Sequence, residues 1–174
     1  MWKGSTNPRE RYEKIKEWLK DICDRYYRDI SDIKDWRTLK NAAILRKHTG
    51  DLDGAIEAMT MAIGLIRNVP SLAETTCSML NYLAAELFEC KAEYDRAEEA
   101  IREALGISAN LSSIIHGDNL LILARVQFAK GHFGEALVSA EQAREAYQKR
   151  GNFHGVGQAE ALIETIRARI QDQT

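Results

Sequence analysis

Residues 131–140, GHFGEALVSA, decide the fold. The stretch holds two glycines, two alanines and a serine, but a single aromatic side chain, Phe133. A helix with so little to bury needs neighbours that approach very closely. Two other stretches share its spacing: GDLDGAIEAMTMAI from Gly50 and AEYDRAEEAIREAL from Ala92. Each opens on a small residue and places a large apolar one two positions on (Leu52, Tyr94, Phe133). An alanine follows three later (Ala55, Ala97, Ala136), and another seven after that (Ala62, Ala104, Ala143). Twelve positions before each first alanine stands a further one: Ala43, Ala85 and Ala124. Nine of nine positions are alanine in a chain where 22 of 174 residues are, so chance does not account for the pattern.

Sterics does. Methyl-sized side chains at a contact let two helix axes close below the upper end of the usual ~8–10 Å separation. An alanine on the first helix faces one on the second. The alanine seven residues on lies about two turns along the same face and meets the next pair. The large residue opening the second helix plugs the space near the turn. Stacked pairs then share one continuous core.

The composition agrees with an all-helical chain. Hydrophobic residues make up 45% and charged residues 29%, and only Pro8 and Pro70 interrupt the helix formers. A formal net charge of -2 gives no reason to expect a nucleic-acid partner. Cys23, Cys77 and Cys90 are odd in number and include no CxxC pair. They read as buried thiols in a reducing compartment rather than as a disulfide framework or zinc site. No apolar run approaches the ~20 residues that span a bilayer, and the N-terminus has no apolar h-region. The expectation is a cytoplasmic protein without a membrane segment.

The alanine lattice and the G-x-F/Y-x-x-A signature resemble the tetratricopeptide repeat (TPR). The resemblance covers about residues 34 to 150 as three repeats, and residues 1–33 read as an N-terminal capping helix. The whole of 34–174 is then a TPR-like array closed by a C-terminal capping helix. It implies an all-α, right-handed array of antiparallel helix pairs with seven to eight helices. The spacing exceeds the usual ~34 residues: Ala55 to Ala97 is 42 and Ala97 to Ala136 is 39. Such lengthened helices and inter-repeat turns resemble the long repeats of kinesin light chains or bacterial signalling ATPases. Leu39, Asn81 and Leu120 stand where the family carries its early Trp.

Along the chain, Asn7 is the expected N-cap of a first helix from Pro8 to about Ile30. Its Tyr12, Ile15, Leu19, Ile22, Tyr26 and Ile30 recur at spacings of three and four, giving an apolar face to cover the first repeat. Ser31 is the expected cap of a second helix ending near His48, before Gly50. Further helices are expected near 53–67, 72–91, 94–108, 114–130, 133–150 and 154–171, with no strand pattern. The tail QDQT is expected to fray.

No constellation carries chemistry. His48, His116, His132 and His154 fall near different helix ends without HxxxH or HExxH spacing, so no metal and no cofactor is expected. GHFGEA is neither a P-loop nor a dinucleotide fingerprint. Cys90 reads as a buried or half-buried structural thiol. The mixed charges around Arg9–Lys16 and Glu98–Glu103 read as solvated faces. Nothing here points to an enzyme.

The resemblance implies a groove lined by the first helix of each pair. The positions are Arg37, Lys40, Ile44, Lys47 and His48 in repeat one. Repeat two offers Met79, Tyr82, Glu86, Glu89 and Cys90, and repeat three Asp118, Leu121, Arg125, Phe128 and Ala129. Of these, Arg37, Lys40, Lys47, Met79, Tyr82, Glu86, Leu121, Arg125 and Phe128 are the candidate partner-binding residues. The groove suits a peptide or helix of moderate polarity. Positions matching the family's chaperone carboxylate clamp are Lys40, Ile44, Leu83, Asp118 and Ile122; only Lys40 fits, and Asp118 would repel a carboxylate. The expectation is a protein-binding scaffold or adaptor, monomeric or weakly dimeric. The alternative is a regulatory or sensor module of a bacterial signalling system that binds a small ligand or self-associates.

Overall fold

The computed structural model describes residues 8–27, 29–109, 111 and 115–172. Among these residues the chain forms eight α-helices and no strand. It divides into two compact units, residues 1–66 and 67–174.

The first unit holds α1 (Pro8–Tyr26), α2 (Trp36–Thr49) and α3 (Leu52–Ile66). Helix α1 ends at Tyr26 rather than near Ile30. Asp29 accepts from both the Ser31 N–H (3.0 Å) and the Ser31 hydroxyl (2.6 Å), and this local turn competes with helix. Ser31 therefore serves a turn, not a cap. Asp35 caps α2, accepting from the Thr38 N–H and hydroxyl, and these bonds hold its carboxyl below the usual range. The expected cap Asn7 lies outside the described residues, as do the last two residues of the QDQT tail.

Helix α1 packs against α2, but uses only part of the expected apolar face. Cys23 and Ile30 are buried and Leu19 and Ile22 half-buried, whereas Tyr12, Ile15 and Tyr26 are exposed. A buried charge, not visible as a core position in the spacing, holds the junction. Arg46 is 8% exposed; its guanidinium donates to the Tyr27 carbonyl (2.6 Å) and the Gly54 carbonyl (3.1 Å). A Cβ at residue 54 would stand 2.2 Å from the Asp51 carboxylate and 2.8 Å from that guanidinium, so either side chain would have to give way to it.

The second unit opens with a 3-10 turn, Pro70–Leu72, after the extended Val69 that proline favours before it. Helix α4 (Ala73–Tyr82) runs on into a π-helical turn, Leu83–Phe88. There follow α5 (Tyr94–Ser108), α6 (Ile115–Ala129), α7 (Phe133–Gln148) and α8 (Phe153–Gln171). Each helix packs on the next, and α4 also meets α6, as α6 meets α8.

The alanine lattice is the packing device of both units. Ala43, Ala55, Ala62, Ala97, Ala104, Ala124, Ala136 and Ala143 have no exposed surface. Ala124 and Ala136 share one cluster, and Ala143 meets Ala159 of α8 in another. The ninth position departs. Ala85 is half-buried, and its neighbour Ala84 is fully buried instead. The π turn, with its i→i+5 bonding, accommodates one extra residue before α5, so the buried position falls one residue earlier.

The three aligned turns share a backbone conformation. Gly50, Ala92 and Gly131 all have positive φ, at 89°, 59° and 81°, and α3, α5 and α7 begin two residues later. At Gly50 the next N–H, from Asp51, returns to the Arg46 carbonyl; at Gly131 that of His132 returns to Gln127. Gly151 repeats the device at φ 66° before α8. Part of the excess repeat length lies in the connector 67–72 and the turn 89–93.

Candidate partner-binding surface

In the second unit the candidate surface is built where α4 meets α6. The end of the π turn brings Glu89 to 3.4 Å from the Arg125 guanidinium. Burial pushes the Glu89 carboxyl above its usual range; Arg125 opposes that shift and Glu86 adds to it. Arg125 and Glu86 are exposed, and Tyr82 is half-buried. Phe128, one turn beyond Arg125, is half-buried and packs on Phe133 of α7 with ring centroids 5.4 Å apart. Tyr82 and Phe128 are thus half-buried aromatics, and Glu86 and Arg125 exposed charges, on α4, its π turn and α6.

Not every expected groove residue reaches it. Met79 is buried at 2% exposure, and Leu121 at 9% packs with Ala143, Tyr147 and Ala159. Their spacing on the first helices fits core and surface equally, because these helices have neighbours on several sides. Asp118 is taken by the Tyr147 hydroxyl. Leu83 and Ile122 of the clamp comparison are buried. Cys90, expected to be at least half-buried, is exposed, since it follows the π turn that rotates the helix end. Cys23 and Cys77 are buried, and burial raises both thiols.

The basic candidates belong to the first unit. Arg37 is exposed and stacks its guanidinium 4.5 Å from the Trp36 ring centroid. Lys40 and Lys47 are half-buried.

One charged run departs from the solvated reading. Glu98 is 4% exposed, held by Lys130 and Arg102 at 2.6 Å each, and Lys130 also reaches Asp95 at 2.7 Å. The partners come from 32 residues away and from the next helical turn, and only the latter is visible as spacing.

Among the described residues, no group of three or more His, Cys, Asp or Glu side chains could hold a metal. No described helix is long and apolar enough to cross a membrane.

Paired antiparallel helices stacked on alanine contacts define a TPR-like helical repeat. Solved structures bear this out. The nearly identical TPR-like repeats of a Podosopora anserina protein described as kinesin light chain align with a TM-score of 0.60 at 15% identity, over 94% of this chain and 90% of that one. BtubC (BKLC) from P. vanneervenii aligns at 0.57 and 18% identity, over 92% and 75% of the two chains. MamA aligns at 0.50 and 14%, over 95% and 92%. The likeness is one of fold. The sequence matches no protein-family model, and no curated protein matches it significantly.

Proposed function

We propose that this chain is a protein-interaction scaffold, and that its second unit receives a partner peptide or helix on the α4–α6 surface through Tyr82, Glu86, Arg125 and Phe128. The observation that carries the reading is the Glu89–Arg125 pair. It links the end of the π turn after α4 to α6 and orients an Arg, a usual interface anchor, where the two meet. Carboxylates and a guanidinium on one face suit a partner of mixed charge, with apolar groups to meet Tyr82 and Phe128. Arg37, Lys40 and Lys47 give the first unit a basic stretch of its own. Buried Leu83 and Ile122, and Asp118 engaged by Tyr147, argue against a chaperone carboxylate clamp.

The reading assigns the chain no catalysis, resident cofactor or nucleic-acid partner. It places the chain in the cytoplasm as a monomer or weak dimer. A photo-crosslinking amino acid at residue 82, compared with one at the exposed residue 99, tests it in lysate of the source cells. Discrete crosslinked products from position 82 and none from 99 are expected. Products from 99 alone would put the partner on the opposite face.

A further inference from the structure

The second unit contains a cavity of about 910 Å³ that no part of the scaffold reading uses. It lies where the C-terminal ends of α5 and α7 meet the N-terminal turns of α6. One wall is apolar, from Leu105, Leu120 and Ala146. The imidazole of His116 lines it, and Lys149 and Arg150 outnumber Glu145 among its charged residues.

The His116 ring is held from behind by a chain of polar groups. Its Nδ1 lies 3.1 Å from the Ser108 hydroxyl. That hydroxyl accepts from the Asn119 amide at 3.2 Å, and the Asn119 carbonyl accepts from Asn81 at 3.0 Å. Ser108 and Asn119 are almost wholly buried. A buried polar chain spanning α4, α5 and α6 restrains the ring from behind, and the Ser108 hydroxyl also lies 3.3 Å from the Leu105 carbonyl. Because Nδ1 is used, Nε2 is the nitrogen available to a ligand. This sets a restrained imidazole nitrogen beside an apolar wall. A cavity of this size is within the ~300–1,000 Å³ range of small-molecule sites.

We infer that this cavity is a binding site for a small amphiphilic carboxylate, its hydrocarbon part against Leu105, Leu120 and Ala146 and its carboxylate between His116 and Lys149. A cationic amphiphile would meet Lys149 and Arg150 unfavourably, and a neutral one would forgo the charge-assisted bonds. The site is distinct from the α4–α6 surface and stands or falls independently of it.

The test is a titration of the isotope-labelled full chain with octanoate, 1-octanol and octylamine in parallel, followed by amide chemical shifts. Octanoate is expected to give saturable shifts centred on His116, Leu120 and Ala146, with octanol weaker and octylamine without effect there. Lys149→Glu combined with Arg150→Glu, both at exposed positions, is expected to weaken octanoate severalfold while helical circular dichroism is unchanged. Equal binding of octylamine, shifts centred elsewhere, indifference to the charge reversal, or no saturable shift at millimolar octanoate would each overturn the inference.

Discussion

The Tyr147 hydroxyl donates a 2.6 Å hydrogen bond to the Asp118 carboxylate, tying α7 to α6. The same ring lies against two glycines. A Cβ at residue 117 would stand 2.9 Å from it, and one at residue 155 only 2.5 Å. Tyr147 is 2% exposed, so one side chain locks three helices, with α6 and α8 each giving up a side chain to admit it. Asp118, a groove position by spacing, is thereby part of the packing.

Burial and the Asp118 carboxylate together push the Tyr147 phenol far above the ordinary tyrosine range. A raised folded value means that the neutral phenol is favoured in the fold. Its stabilisation is complete below the ordinary tyrosine value and is lost as the pH rises above it. Tyr147→Phe should cost about 1 to 3 kcal/mol at neutral pH, the value of a hydrogen bond to a charged group. It should also flatten the loss of stability between about pH 9 and 12. Urea midpoints of both proteins across that range check this. Equal slopes would remove Tyr147 from the alkaline transition; the buried thiols Cys23 and Cys77, shifted in the same direction, would remain.

Ala97 has no exposed surface on α5, where α4 packs. Leucine there must displace backbone rather than water. Ala97→Leu should destabilise by on the order of 1 to 3 kcal/mol. A thermal midpoint within a degree or so of the parent would show that the contact face is misassigned.

Ala92 is the one described non-glycine residue with positive φ, at 59°, and it aligns with Gly50 and Gly131. An L side chain in the left-handed region costs roughly 1 to 2 kcal/mol. Glycine removes that strain but loses more backbone freedom on folding. Ala92→Gly should therefore stabilise the protein by a net of about 0.5 to 1 kcal/mol. Chemical denaturation decides the sign, and destabilisation would mean that the turn 89–93 relaxes around alanine.

Glu98 and Glu99 are adjacent, yet one is buried among Lys130 and Arg102 and the other is exposed. Reversing Glu98 to Lys sets a third cation beside Lys130 and Arg102 at a position that is itself only 4% exposed. Reversing Glu99 changes a solvated charge. A large drop in Tm is expected for Glu98→Lys and almost none for Glu99→Lys. Similar melting of the two variants would show that Glu98 is hydrated in solution.

What could be read from the sequence, and what could not, follows from the range of the forces involved. The lattice of Ala43, Ala55, Ala124 and their counterparts was readable because close helix contact is a local steric demand repeated at fixed spacing. The one-residue shift from Ala85 to Ala84 was not, since a π turn leaves no composition mark in LAAELF. Burial of Arg46 and Glu98 escaped for another reason. Their partners, the Tyr27 carbonyl and Lys130, are 19 and 32 residues away, and one-dimensional spacing carries no trace of such pairs. In the candidate surface, periodicity put Tyr82, Glu86, Arg125 and Phe128 on first helices but could not separate them from Met79 and Leu121. That distinction depends on where a third helix lies.

The α4–α6 surface leads to the prediction most direct for function. Arg125 is exposed and already oriented by Glu89, so less side-chain entropy is lost when a partner engages it. Tyr82 offers an amphipathic ring with few rotatable bonds. With a partner in hand, Tyr82→Ala or Arg125→Ala should weaken binding by about 1 to 3 kcal/mol, the usual loss at an anchor position. Neither side chain is in the buried core, so helical content should be retained. Glu99→Lys, on a second helix and exposed, should leave affinity unchanged. Isothermal titration of the three variants separates the cases. Loss of binding in Glu99→Lys with retention in the other two would place the partner on the second helices and refute the α4–α6 surface.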